Sequence, residues 1–344
     1  MKFGIFDHLD RGGGTLAAQY QDRLALIEAY ERAGFYAYHV AEHHATPLGM
    51  APSPSVFLAA VAMRTRRLRF GPLVYQLPIH HPLRVVEEIC MLDHLSGGRL
   101  EVGLGRGAVP HEIEYYGVDP KTAPARYLEA YEVVLEALTS RTLTYKGKHF
   151  NFDDVPMEIA PLQQPHPPLW YGAVTPEGAA WAAKNRINIV CNGPLAMVRG
   201  INERYRTEWR AAGNDLADIP LMGMNRYLVL ADSDREAAEI AERAYKHWHR
   251  SFYYLWDKRG GRPENIAALY PDTFAQIQER GYGIAGTPAT VRAALSAQVA
   301  AAGNNYMICR FAFGDLSLSE SLRSLDLFEQ AVMPALAGMR AAAE

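Results

Sequence analysis

Residues 36–44, Tyr-Ala-Tyr-His-Val-Ala-Glu-His-His, carry the reading that decides the fold. The aromatic and β-branched run Tyr36–Ala41 reads as a strand, and it stops abruptly in three ionisable groups, Glu42, His43 and His44. The pattern recurs downstream. Leu68–Tyr75 runs into Gln76-Leu-Pro-Ile-His-His-Pro82, and Arg99–Leu104 runs into Gly105-Arg-Gly107. Strands that repeatedly end in polar groups imply a parallel sheet with a site along one rim.

Counting outward from this segment, strands are predicted at 2–7, 36–41, 68–75, 99–104, 168–173, 187–191, 221–231 and 305–312. Helical segments separate them at 16–33, 53–65, 82–94, 124–139, 176–185, 195–212, 234–255 with 288–302, and 318–337. Eight of each in alternation give the α/β class and a (β/α)8 TIM barrel, with a doubly wound sheet of fewer strands as the alternative. Tyr127, Leu128, Tyr131, Val134, Leu135 and Leu138 recur at three- and four-residue spacing, so one stripe of that helix covers the sheet. Thr175-Pro176 and Thr287-Pro288 each pair an N-cap threonine with a first-turn proline. Two stretches break the rhythm. Residues 141–167 read as a β-hairpin with a proline-rich exit, and 256–286, with Gly260, Gly261, Gly281, Gly283 and Gly286, reads as a lid or insertion over the barrel mouth. The expectation is one domain, 1–344, carrying both insertions.

Acidic and basic residues are interspersed and sum to 35 − 38 = −3, which argues against nucleic acid and anionic membrane surfaces as partners and leaves a small organic molecule as the expected substrate. Cys90, Cys191 and Cys309 are far apart, odd in number and set in apolar surroundings, as befits free thiols in a reducing compartment. The N-terminus enters a strand at once, and no run of eighteen apolar residues occurs, so a soluble cytoplasmic protein is expected.

Gly103-Leu-Gly-Arg-Gly-Ala108 invites a dinucleotide-binding reading, but its third glycine comes one residue early for that fingerprint. As a glycine-rich strand end it lets a ligand approach the backbone while Arg106 offers a guanidinium fork to a phosphate; a structural ion pair for Arg106 is the alternative. His43 suits a general acid/base, with a purely structural histidine as the alternative; adjacent His43 and His44 point in opposite directions on an extended chain, which disfavours a shared metal. Ala173-Val-Thr-Pro-Glu-Gly178 places first-turn N–H groups at the barrel mouth, either as a second phosphate clamp or as an ordinary capped helix start. The aromatic run His247–Trp256, including Trp248 and Trp256, suits the wall of a substrate site or a subunit interface.

Met1-Lys-Phe-Gly-Ile-Phe6, Glu42-His-His44, Gly71 with Leu77-Pro78 and His81-Pro-Leu-Arg84, Leu92-Asp-His-Leu-Ser-Gly-Gly-Arg99, Gly105-Arg-Gly107, Trp181-Ala-Ala183 and Val332-Met-Pro334 closely resemble the bacterial luciferase-like flavin monooxygenases. The resemblance implies a barrel that takes reduced FMN from a separate NAD(P)H:flavin reductase and uses molecular oxygen to oxygenate a small organic substrate, in a homodimer. It implies His43 as the catalytic residue beside the flavin, Arg106 as the phosphate-binding arginine, Thr175 with the Gly178 backbone as the phosphate loop, and a non-prolyl cis peptide at Leu73-Val74 beneath the isoalloxazine. Glu42, Gly107 and Ala173 complete the expected cofactor contacts. His44, Tyr75, Asn192, Trp248 and Trp256 are expected nearer the substrate or lid. Gly105 stands where the light-emitting enzymes have cysteine, and Val174 where their phosphate loop is acidic, so light emission does not carry over. The resemblance also admits deazaflavin-dependent hydride transfer on the same fold and a noncatalytic flavin-binding subunit.

Overall fold

Twelve strands are present in the computed structural model, which describes residues 1–338; the last six positions of the expected 1–344 span lie outside the described residues. They are β1 (Lys2–Asp7), β2 (Ala37–Val40), β3 (Arg69–Pro72), β4 (Tyr75–Gln76), β5 (Val102–Gly105), β6 (Thr142–Lys146), β7 (Asn151–Pro156), β8 (Leu169–Gly172), β9 (Asn188–Cys191), β10 (Met222–Leu230), β11 (Gly283–Gly286) and β12 (Tyr306–Arg310). The parallel sheet runs β3-β2-β1-β12-β10-β9-β8-β5-β4. Because β3 and β4 are two halves of one stave, split at a cis Leu73–Val74 peptide, the β4–β5 pairing and a Phe70–Leu100 bridge close the ring at eight staves. This is a (β/α)8 barrel.

Alternation along the staves builds two cores. Inward-facing Phe6, Leu73, Trp170, Val190, Tyr306 and Ile308 pack together inside the barrel. Outward-facing Phe3, Ile5, Tyr38 and Val40 join the surrounding helices in a larger core. The barrel floor is polar but satisfied: Glu101 accepts from Tyr36 Oη (2.6 Å), Arg69 Nε (2.7 Å) and Trp170 Nε1. One layer higher, His39 Nε2 meets Tyr306 Oη at 3.1 Å, and burial holds its pKa down at about 3, so the ring is neutral. With the floor filled, only the C-terminal rim offers room for chemistry.

The hairpin expected within 141–167 is β6–β7. The 256–286 insertion differs from a simple lid. The preceding helix, Asp234–Arg259, runs four residues into it; two short helices, Glu264–Leu269 and Phe274–Glu279, follow; and β11 joins the barrel sheet in parallel beside Tyr227–Leu230. A further short helix, Pro110–Tyr115, follows β5 where no helix was predicted. Among the described residues no helix is long and apolar enough to cross a membrane.

Candidate active site

Because side chains alternate, each stave sends one residue at its C-terminal end into the mouth. His43, just past β2, places Nδ1 3.0 Å from Glu112 Oε1. A carboxylate only accepts, so Nδ1 carries a proton and Nε2, without a protein partner among the described residues, is left to the mouth. Burial alone would lower the His43 pKa, but the charge and hydrogen bond of Glu112, with Glu42 and Asp10 behind it, raise it above the ordinary histidine value. Gln76 ties this pair to the next: its Nε2 donates to Glu112 Oε2 (2.9 Å) and to the Glu42 carbonyl (2.8 Å).

Glu42 corrects an expectation. Anticipated as a cofactor contact, its carboxylate is enclosed and fully occupied, with Oε1 meeting His44 Nε2 and His80 Nε2 (2.7 Å each) and Oε2 accepting from Gln76 N (2.9 Å). Burial pushes its pKa up, yet the two histidines overcome this and leave it below the usual value. Glu42 is thus a hub that positions the rim. His44 faces away from the mouth of His43, bonding Tyr116 Oη through Nδ1 (2.8 Å). Tyr75, expected nearer the substrate or lid, is buried with its hydroxyl 2.6 Å from Ser55 Oγ.

His8, which sequence reasoning missed, completes the rim next to His43, ring centroids 5.4 Å apart. The Trp248 indole donates to its Nδ1 (3.2 Å), so the neutral ring carries its proton on Nε2. Burial first, then the positive charges of Arg310 and His43, keep its pKa far below the ordinary value. Two histidines at one site are thereby split into a neutral ring and a readily protonated one.

Two staves round from His43, at the end of β5, Arg106 is exposed and makes no hydrogen bond or ion pair among the described residues. The glycines around it serve close approach. A Cβ at Gly105 would fall 2.4 Å from Val74 Cγ2, and Gly107, at φ +81°, admits Gln76 Oε1 to where a Cβ would stand. On the neighbouring β8, Gly172 faces open space. Ala173 is buried and donates to the Val190 carbonyl (2.9 Å). Thr175 caps the helix Pro176–Lys184 by accepting from Gly178 N (3.1 Å), so the Gly178 N–H expected to face a phosphate already has a partner and meets a ligand only by exchange with that cap.

Aromatic rings cover the mouth. Trp248 packs on Tyr227 (5.2 Å), Phe252 (4.9 Å) and Tyr270 (5.4 Å). Tyr270, from the insertion, reaches across to accept from Asn192 Nδ2 (2.9 Å) beyond β9, while buried Asn192 Oδ1 has no partner. Trp256 sits further out, 5.2 Å from His111 on the segment after β5.

The sequence model of the family described as luciferase-like monooxygenase matches residues 1–305. This chain belongs to that family. An uncharacterized protein of Sinorhizobium fredii is 46% identical over 94% of this chain and 93% of its own. The oxygenase component of the flavin-dependent trigonelline monooxygenase of Acinetobacter baylyi is 30% identical, covering 70% of this chain and 68% of its own. Among solved structures, monooxygenase RslO1 of Streptomyces bottropensis superposes with a TM-score of 0.81 at 27% identity, covering 97% and 99% of the two chains. At 18% and 19% identity, the oxygenating constituent of 3,6-diketocamphane monooxygenase of Pseudomonas putida, in complex with FMN, and the coenzyme F420-dependent tetrahydromethanopterin reductase of Methanopyrus kandleri share the fold (TM-scores 0.77 and 0.71; coverage 97% and 98% in both cases). Both cofactor classes therefore occur on this barrel.

A flavin mononucleotide suits the groups present. The free Arg106 guanidinium would offer a phosphate fork, the first turn of the helix Pro176–Lys184 a positive dipole end, Gly172 the room, and the orphaned Asn192 Oδ1 a buried acceptor lacking a donor.

Proposed function

We propose that this chain is the oxygenase component of a two-component monooxygenase that receives reduced FMN from a separate NAD(P)H:flavin reductase and oxygenates a small organic molecule with molecular oxygen. The observation that carries the reading is the His43–Glu112 pair and the free Arg106, two staves apart on the C-terminal rim of a luciferase-like barrel. Bound reduced FMN would supply the electrons that activate oxygen. The chain's own part is threefold: Arg106 holds the phosphate, His43 presents Nε2 to the mouth with its proton affinity raised by Glu112, and the Trp248–Tyr270 cover keeps bulk water out. A neutral His8 beside His43 offers a donor that stays uncharged throughout.

Anaerobic binding of reduced FMN followed by mixing with oxygenated buffer tests the reading. Oxidised-flavin absorbance is expected to return more slowly than with free reduced FMN. No binding, or return at the free rate, would refute it, and tight binding of F420 without oxygen uptake would move the chain to hydride transfer. Arg106→Ala should weaken FMN binding roughly 10- to 100-fold, the worth of a charge-assisted hydrogen bond. An unchanged dissociation constant would remove Arg106 from the phosphate site.

A further inference from the structure

Arg310, the last residue of β12, turns inward at the mouth and is almost wholly buried. Its guanidinium lies between two rings, 4.5 Å from the centroid of Phe6 and 4.4 Å from that of Tyr227, which fixes its plane. Nε donates to Asn225 Oδ1 (3.2 Å), Nη1 donates to Tyr227 Oη (2.6 Å) and lies 3.5 Å from His8 Nδ1. Every one of these partners is neutral, and Nη2 is buried with none. Asp10, the carboxylate whose field reaches Arg310, makes no hydrogen bond to it and is itself kept protonated up to about pH 7, chiefly by burial. A buried cation with neutral partners and an unmade N–H is costly unless a ligand completes it.

We propose that Arg310 receives the carboxylate of the substrate, so that the substrate class is a planar, unsaturated organic acid. The inference rests on the proposed oxygenase reading, which puts the flavin phosphate at Arg106. In an eight-stave ring β5 and β12 are four staves apart in either direction, so Arg310 stands diametrically across from that phosphate and cannot share it. Beside Arg310's partners His8 and Tyr227 stands Trp248, stacked on Phe252 at 20° and met by Tyr270 at 60°, an aromatic wall of faces and edges that fits a ring rather than a flexible chain. His8 and His43 sit beside the same spot, so an acid held by its carboxylate would present its ring to the oxygen chemistry.

The test is calorimetric titration of benzoate and of its neutral isostere benzamide into the full chain, with and without FMN. Benzoate should bind at least tenfold more tightly than benzamide. Arg310→Lys should reduce that preference, and Arg310→Met should abolish it while FMN affinity is retained. Equal binding of the two probes by the wild-type chain overturns the proposal. So does a preference that survives Arg310→Met, or a loss of reduced-FMN affinity in that variant with the benzoate preference intact, which would assign Arg310 to the anionic flavin ring. Should Arg310→Met not fold, the wild-type preference and Arg310→Lys decide. A benzoate preference in a chain that fails to bind FMN would remove the flavin reading and keep the anion site; FMN binding without the preference would remove the anion site alone.

Discussion

Glu112, through a 3.0 Å contact and with Glu42 and Asp10 adding to it, outweighs the burial that would otherwise lower the His43 pKa. Glu112→Gln should therefore lower the His43 pKa, read from the pH dependence of its ring proton shifts by NMR; an unchanged midpoint would remove Glu112 from control of that proton. The sign extends to stability. A histidine whose folded pKa lies above its unfolded value of about 6.5 stabilises fully below that value and loses the contribution as pH rises through the folded pKa. Glu112→Gln should then destabilise the chain more at pH 6 than at pH 9. His43→Ala should leave FMN affinity intact but lower product formed per oxygen consumed, and full coupling in that variant would take His43 out of the mechanism. Glu42, His43, His44 and Arg106 stand out in the sequence because charges ending an apolar strand have few bland readings. His8 obeys the same rule after β1 and needed only its consistent use. Glu112 had no such signal: it lies 69 positions from His43 in a segment without periodicity, and one sequence holds no record of which residues meet. Arg310, a single charge within the apolar run 305–312, reads as a strand defect until its neutral surroundings are seen.

At the scale of elements, the joint between β3, β4 and β5 sets the shape of the mouth. A methyl at Gly105 would fall 2.4 Å from Val74 Cγ2, so Gly105→Ala should cost about 1–3 kcal/mol, the usual range for overpacking, and lower the urea midpoint without changing the slope. An undiminished midpoint would show that the joint yields. The insertion is tied to the barrel through Tyr270 and Asn192. Tyr270→Phe leaves the Asn192 amide without that acceptor, a loss of about 1 kcal/mol, and should speed amide hydrogen exchange across residues 264–279. Exchange at the wild-type rate would mean the cover is held by its rings alone. Seven staves were legible as β-branched or aromatic runs bounded by helices of clear period, and β5, Val-Gly-Leu-Gly at 102–105, through the charged Arg106 that ends it. β11 was not, since Gly-Ile-Ala-Gly at 283–286 holds one strong β-former among small residues, and its pairing with Tyr227–Leu230 is tertiary context overriding propensity. The break at Leu73–Val74 is equally silent in the apolar alternation of 68–75; only the family resemblance pointed to it.

For the molecule as a whole, stability against pH is shaped by one carboxylate outside the proposed chemistry. Asp10 is buried between the strand-end loops of β1 and β12, accepting from Gly314 N (2.5 Å) through Oδ2, with Oδ1 unpartnered. Burial lifts its pKa to about 7 and Asp7 adds to the rise, while the Gly314 N–H, Arg23 and Arg310 pull the other way. In the unfolded chain the group ionises near pH 3.9, so between that value and about 7 the folded state holds a proton that the unfolded state has released. Stability therefore falls as pH rises through this window and levels off above it. Glu42 works in the opposite sense, its stabilising contribution being present above about pH 4.3 and lost as pH falls through its depressed folded value, so the total curve mixes the two. Comparison with Asp10→Asn isolates the first term, because the amide keeps the acceptor for Gly314 and cannot ionise. At pH 4 the variant and the parent should unfold at nearly the same urea concentration. At pH 8 the variant should be more stable by a few kcal/mol, about 1.4 for each pKa unit of the rise. Equal stability at pH 8 would mean that the Asp10 carboxylate ionises in place at no cost, with its unpartnered oxygen solvated or paired after all.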